Sequence, residues 1–383
     1  MTTRPYAASR RTLSFTDKFQ EFHWPLLLVV LIVACIGVAM LYSVAGGHIS
    51  PWASKQMLHV SIGLVLLVAA ALVDVRYWMN LAYPLYGICI VLLIAVEVAG
   101  HTGLGAQRWI QIGPLQLQPS ELMKIALVLA LARFLHGQDI EQVSKPLRLL
   151  VPILMIGIPA ALVLKQPNLG TATILVMDGA CLLFLAGLSW WWIVPTVSAV
   201  GAAIPVAWQF LHDYQKRRVL TFLNPQNDAL GAGWNISQAE IAIGSGGLTG
   251  KGYLHGTQGQ LNFLPEKQTD FIVTSIGEEF GLLGCIALLL LYAAIIGYGI
   301  RIAMASRSQF GRLVALGLTL NFFFYIMING AMVMGLIPVV GIPMPLLSYG
   351  GTAMLTVMFG FGILMSIHVH RQVEIPRHSG ILI

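Results

Sequence analysis

Long apolar stretches alternate with short polar joints along the chain. A helix needs about 20 mostly apolar residues to cross a bilayer. Ten stretches meet that need, at roughly 24–45, 53–73, 77–99, 119–136, 148–164, 169–187, 190–210, 272–300, 311–335 and 349–368. Very short turns join 53–73 to 77–99 and 169–187 to 190–210. The pattern predicts an all-α integral membrane protein of about ten transmembrane helices. One joint is far longer than the rest, a polar segment over about 211–271 between the seventh and eighth helices.

Composition agrees with the pattern. Of 383 residues, 57% are hydrophobic and 10% charged, whereas soluble domains carry about 25% charged residues. Length therefore counts spans, not soluble domains. The expected division is a cytoplasmic segment 1–23, one polytopic membrane domain 24–370 and a cytoplasmic tail 371–383. The net charge of +6 does not point to nucleic acid, because no basic stripe is interleaved with aromatics. The cations instead follow topology, since Lys and Arg gather on the cytoplasmic side. An inside N-terminus places Arg4, Arg10, Arg11, Lys18, Arg76, Arg133, Lys145, Arg148, Arg301, Arg307, Arg312, Arg371 and Arg377 inside. The short outer loops then hold only Lys55, Arg108 and Lys165. Both ends are expected in the cytoplasm, with 100–118, 211–271 and 336–348 outside. The apolar run 25–45 is long enough to span and reads as a retained first helix, not a cleaved signal. Cys35, Cys89, Cys181 and Cys285 lie in apolar runs without CxxC spacing and read as small core residues. No internal repeat is visible, which leaves an inverted-repeat transporter little support.

Candidate chemistry gathers where polar gives way to apolar. In Phe263-Leu264-Pro265-Glu266-Lys267-Gln268-Thr269-Asp270-Phe271-Ile272, Asp270 stands at that boundary. A partly desolvated acid suits a general base; Thr269 or Asp270 as the N-cap of the next helix is equally open. Charges inside spans cost about 2.5–3.5 kcal/mol each, which singles out Glu121 and Lys124. Pro119, Ser120 and Glu121 suit a helix start, and residues three apart share a face. Lys124 either pairs with Glu121 or points into a cavity toward an outside anion or Asp270. Asp178 and Glu97 read as interhelical hydrogen-bonding groups or as the lining of a polar groove, and Asn321 and Asn329 as interhelical glue. The histidines are scattered, so a protein-ligated metal is not expected.

The long joint begins with basic Lys216-Arg217-Arg218 and continues through Trp234–Ile243, which reads as a short surface helix. The run Gly244-Ser245-Gly246-Gly247-Leu248-Thr249-Gly250-Lys251-Gly252 permits tight turns and close backbone approach to a ligand, or is a flexible connector. It lacks the spacing of a nucleotide phosphate loop. Pro338 to Gly351 is rich in Pro and Gly yet apolar. It reads as a re-entrant segment lining a cavity, or as a packed surface turn.

Taken together the motifs resemble the SEDS family (shape, elongation, division and sporulation), most nearly its RodA-type, rod-shape branch. The matching pieces are Arg108-Trp109-Ile110, Gln118-Pro119-Ser120-Glu121 with Lys124, and Gln166-Pro167 with Leu169-Gly170-Thr171. They continue through Arg218 to Pro225, Gly231 to Ile236, Ile241 to Gly247, Gly252-Tyr253, Gly256-Thr257-Gln258, Phe263 to Ile272, Gly277-Glu278-Glu279 and Gly341 to Gly351. The Gly-Thr-Gln and Leu-Pro-Glu segments favour the rod-shape branch.

The resemblance implies a ten-helix peptidoglycan glycosyltransferase of the bacterial inner membrane that polymerises lipid II at the outer face during elongation. Asp270 would be the family's essential loop acid, Glu121 and Lys124 its buried charged pair, and Arg108 its outside arginine. The partners implied are a class B penicillin-binding protein and other elongation-complex proteins. Undecaprenyl pyrophosphate would leave, met by Lys124, Arg108, Arg217 or Arg218. A divalent cation, Mg2+ or Mn2+, would be held largely by the substrate, because no acidic cluster marks a cage. Lys124→Ala is expected to lose most activity while the protein still folds. Two features depart from the family: Asn168 stands where it usually has Asp, and Gln268 where many members have His. Asp178 lies about 15 Å further along a helix from Asn168. A lipid II flippase and a non-catalytic scaffold for the transpeptidase are the competing functions.

Overall fold

The computed structural model describes residues 14–103, 106–112, 115–139, 144–192, 232–260 and 266–376, with scattered positions between 194 and 222. In chain order the elements begin with α1 (Phe15–Gln20), α2 (Trp24–Val44), α3 (Trp52–Leu72) and α4 (Val75–Ala99). Three short strands follow, β1 (His101–Gly103), β2 (Ala106–Ile112) and β3 (Leu115–Leu117). Then come α5 (Pro119–His136), α6 (Pro146–Lys165), α7 (Leu169–Leu185), α8 (Ala232–Gly246) and α9 (Thr257–Gln260). The chain closes with α10 (Ile272–Ala305), α11 (Gln309–Val333) and α12 (Gly351–Val369). Nine of the ten expected spans are thus helices; the tenth, 190–210, lies largely outside the described residues.

Helix starts follow their local chemistry. His23 Nδ1 accepts from the Leu26 N–H at 3.1 Å, and Ser308 Oγ accepts from the Gly311 N–H at 3.0 Å. Asp74 caps α4 by accepting from the Arg76 N–H at 2.8 Å. Each satisfies a donor that the first turn leaves open. Pro119 occupies the first turn of α5, where a missing N–H costs nothing.

α5 is the axle of the bundle. It carries Glu121, Lys124 and Arg133, yet fifteen of its 18 residues are buried. It packs on α4, α6, α7, α11 and α12. A charged helix can sit there only if its charges find partners within the bundle.

The segment 100–118, expected as a loop, is an antiparallel meander in the order β1-β2-β3. Gln111 pairs with Gln116 across one turn and Gly103 with Ala106 across the other. The Thr352 hydroxyl donates to the Gln116 carbonyl at 2.6 Å, which ties β3 to the start of α12.

The glycine-rich run is neither a free connector nor shaped around a ligand. α10 is broken at Gly281, whose φ is 62°. A break frees backbone donors and acceptors that must be paired when buried. Residues 247–252 pair them. Lys251 and Gly252 N–H donate to the Glu278 and Glu279 carbonyls, and Leu282 and Leu283 N–H donate to the Gly247 and Leu248 carbonyls. The approach is so close that a Cβ on Gly250 would lie 2.1 Å from the Glu279 carbonyl oxygen. The close partner of these glycines is therefore another stretch of backbone.

Candidate functional site

The Asp270 turn is assembled against the apolar segment 338–350. Three successive carbonyls of the turn are each captured by a different donor. The Tyr349 N–H takes Gln268 at 2.8 Å, the Ser348 hydroxyl takes Thr269 at 2.5 Å, and the Asn329 amide takes Asp270 at 2.8 Å. The same Asn329 amide also donates to the Ile342 carbonyl at 2.7 Å. Glu266 Oε2 accepts from the Thr269 hydroxyl at 3.0 Å and from the Gln268 amide at 3.4 Å, which folds the turn on itself. Phe271 is buried, while Asp270 is half-buried. Gly341, at φ 69°, faces the carboxylate; a Cβ there would lie 3.6 Å from Asp270 Oδ2. Asp270 stands one residue before Phe271, the N-cap of α10.

The segment 338–350 is re-entrant in character. Ile342, Met344, Leu346, Leu347 and Ser348 are buried. A Cβ on Gly37 would lie 2.7 Å from the Leu346 carbonyl oxygen, which puts this irregular backbone about 10 Å below the end of α2. Side chains from three helices satisfy it: the Gln56 amide donates to Ser348 O at 3.0 Å, the Tyr292 hydroxyl to Pro345 O at 2.7 Å, and Asn329 to Ile342 O. Non-helical backbone at this depth is tolerated where protein surrounds it in this way.

Lys124 resolves in favour of the intrahelical pair. Its Nζ lies 2.7 Å from Glu121 Oε1. It also donates to the Tyr325 hydroxyl, which in turn donates to Glu121 Oε2. Asp178 is fully buried and accepts from the Asn321 amide. Glu121, Lys124 and Tyr325 thus form one buried polar cluster between α5 and α11, and Asp178 with Asn321 a second buried polar pair between α7 and α11. Asp270 is not among the partners of Lys124.

Arg108, on β2, donates to the Gln166 carbonyl at 3.0 Å and to the Pro167 carbonyl. It therefore ties the meander to the α6–α7 turn. That turn is completed by Asn168, whose side chain caps α7 by accepting from the Thr171 N–H at 3.4 Å. An amide oxygen can make this cap as a carboxylate does, so a capping role survives the replacement of Asp by Asn. Glu97 meets Lys165 at 3.3 Å on the exposed surface. Arg217 and Arg218 lie outside the described residues.

Several participating residues were given no role of their own in the sequence reading. Glu278 Oε1 accepts from Lys251 Nζ at 2.6 Å, from the Thr257 N–H and hydroxyl at 2.8 Å each, and from the Gln258 N–H at 3.2 Å. Glu279 accepts from the Ser43 hydroxyl at 2.5 Å and the Leu254 N–H at 3.4 Å. The adjacent acids thus template residues 251–258. Lys267 Nζ donates to the Gly259 carbonyl at 2.5 Å, joining that segment to the Asp270 turn. Burial holds the Lys267 ammonium below the usual lysine range. Gly277-Glu278-Glu279 entered the sequence reading only as one of the pieces that carry the family resemblance. Among the described residues no group of three His, Cys, Asp or Glu side chains has the arrangement of a metal site.

Comparison with known proteins bears on what these parts do. Residues 23–373 match the FTSW_RODA_SPOVE family, described as cell cycle protein. The peptidoglycan glycosyltransferase MrdB of Escherichia coli K12 is 45% identical over 349 residues, covering 91% of this chain and 94% of that one. A chain of a peptidoglycan synthase complex superposes with a TM-score of 0.80 at 29% identity, covering 94% of this chain and 99% of that one. The rod shape determining protein RodA of Thermus thermophilus gives a TM-score of 0.69 at 27% identity, covering 91% of this chain and 97% of that one.

Proposed function

The chain belongs to the FtsW/RodA/SpoVE cell cycle protein family and is a multi-pass peptidoglycan glycosyltransferase of the inner membrane; we propose that it polymerises lipid II at the outer membrane face with Asp270 as general base. The acceptor's sugar hydroxyl attacks the anomeric carbon of the donor, with inversion, and undecaprenyl pyrophosphate leaves. Asp270 takes the hydroxyl proton. A positioned base contributes about 10²–10⁴-fold. The observation that carries this reading is the capture of the Gln268, Thr269 and Asp270 carbonyls by three separate donors. Such bracing fixes the base relative to the re-entrant wall, as preorganised catalysis needs.

The leaving pyrophosphate needs positive charge. Lys124 is engaged by Glu121 and Tyr325, and Arg108 by the Gln166 and Pro167 carbonyls, so each already gives two of its donors to the protein. Arg217 and Arg218 remain candidates for the same role. Mg2+ or Mn2+, held largely by the substrate, would supply further positive charge there. The partner we infer is a class B penicillin-binding protein that crosslinks the new strand. Support comes from the likeness to a chain of a complex whose subject is polymerisation and crosslinking.

The test is glycan-strand synthesis from purified lipid II. Wild-type protein is compared with Asp270→Asn, each bound to the transpeptidase partner and matched for folding. Long strands from wild type and none from Asp270→Asn are expected. Equal polymerisation by both would place the base elsewhere. No strands from either would return the flippase and the scaffold to the front.

A further inference from the structure

A cavity of about 370 Å³ opens at the α2–α3 connection, with Gly46, His48, Ser50, Pro51, Trp52 and Lys267 in its lining. This is the lower end of ligand-pocket sizes, about 300–1,000 Å³, enough for sugar and its substituent but not for a long lipid. Its rim is exposed at Gly46, His48, Ser50 and Pro51. A Cβ on Gly46 would meet nothing within 4 Å, so the mouth is open there. Inside, Lys267 is only 7% exposed, and its ammonium lies 5.9 Å from the centre of the Trp52 ring.

Two features give this pocket a chemistry. An aromatic face packs against the C–H face of a sugar ring, as apolar side chains do in small-molecule sites with a few placed polar groups. A buried ammonium takes an anion, because a charge-assisted hydrogen bond in low dielectric is stronger than one in water. Lys267 is also three residues before Asp270 on the braced turn. The pocket's cation and the base are thereby carried on one braced segment. Lys267 keeps its own place through the Gly259 carbonyl, which Glu278 and Glu279 help to hold from α10.

We propose that this pocket is a saccharide subsite that takes an anionic sugar of the lipid-linked substrate, with the ring against Trp52 and its acidic substituent on Lys267. The proposal rests on the glycosyltransferase reading above. The anion has two possible sources, the carboxylates of the sugar-peptide and the pyrophosphate of the carrier, and the test separates them.

Full-length protein in detergent is titrated with two probes, a soluble disaccharide-peptide lacking lipid and pyrophosphate, and undecaprenyl pyrophosphate lacking sugar. The variants are Lys267→Met, Lys267→Arg, Trp52→Leu and Asp270→Asn, each checked for a wild-type melting temperature. Lys267→Gln replaces Lys267→Met if that variant does not fold. Losing a hydrogen bond to a charged group predicts a roughly ten- to hundredfold weaker affinity for the disaccharide-peptide in Lys267→Met. Trp52→Leu should weaken it as well, while Lys267→Arg and Asp270→Asn keep most of it. Weakening of undecaprenyl pyrophosphate alone, with Trp52→Leu unaffected, would overturn a saccharide subsite. Affinities within twofold of wild type in both variants, or no binding of either probe by wild type, would also overturn it. Polymerisation surviving in Asp270→Asn would sink the assignment of the base and leave these binding ratios to stand or fall separately.

Discussion

Two lysine–glutamate pairs in this molecule are nearly alike in length and opposite in setting. Lys124 and Glu121 meet at 2.7 Å with side chains 1% and 5% exposed, one turn apart on a single helix. Lys251 and Glu278 meet at 2.6 Å with 28% and 1% exposed, joining a loop to a helix. The first pair lies wholly within the bundle, and among the described residues its further hydrogen-bond partner is Tyr325. The second has one foot in solvent, and its acid keeps two backbone N–H donors and a hydroxyl besides the lysine. Distance alone therefore says little about what an ion pair does. What matters is what remains when one partner is gone.

The largest effect is expected from Lys124→Ala. It leaves Glu121 buried without a counter-charge, a loss of about 3–5 kcal/mol. The variant is expected still to fold, but thermal unfolding in detergent should show a clear drop in melting temperature. Glu121→Gln combined with Lys124→Met should recover most of that stability, because neither residue then buries a charge. If the double variant is stable but still makes no glycan, the pair serves chemistry as well as packing. A Lys124→Ala protein that melts like wild type would erase the contrast between the two pairs.

Lys251→Ala should cost less, about 1 kcal/mol, since Glu278 retains three donors. The same unfolding measurement checks it, and a loss exceeding that of Lys124→Ala would reverse the comparison.

The smallest effect concerns an acid–base contact that is not a working pair. His370 Nε2 stands 3.9 Å from Asp74 Oδ2 just beyond the end of α12. Burial, more than any neighbour, lowers the His370 pKa from 6.5. The unfolded chain then binds a proton more readily than the folded one as pH falls. Stability from this group is complete above about pH 6.5 and declines below it, toward the folded value. Melting curves between pH 7.5 and 5 should flatten in His370→Asn relative to wild type; parallel curves would show that His370 carries no such dependence.

Much of the scaffold was legible because lipid imposes length. Nine helices appear within a few residues of their apolar runs, as spans of that composition must. The acid turn was legible too, because Asp270 stands at the polar–apolar boundary. The partners were not. Ser43 and Glu279 are 236 residues apart, and Lys124 and Tyr325 are 201 apart; no local pattern announces such pairs. The meander escaped notice because its strands of three, seven and three residues are too short for alternation to register. Arg108 was visible as an outside cation, but its engagement with the Gln166 and Pro167 carbonyls depends on how β2 meets the α6–α7 turn.

The break at Gly281 also bears on how the chain is made. Until residues 247–252 dock, the α10 turn has two bare carbonyls and two bare amides at its weakest point. The patch precedes the helix in the sequence, so synthesis delivers the mending strip before the torn edge emerges. A permuted chain that delivered α10 first would ask the insertion machinery to release an unfinished helix into lipid.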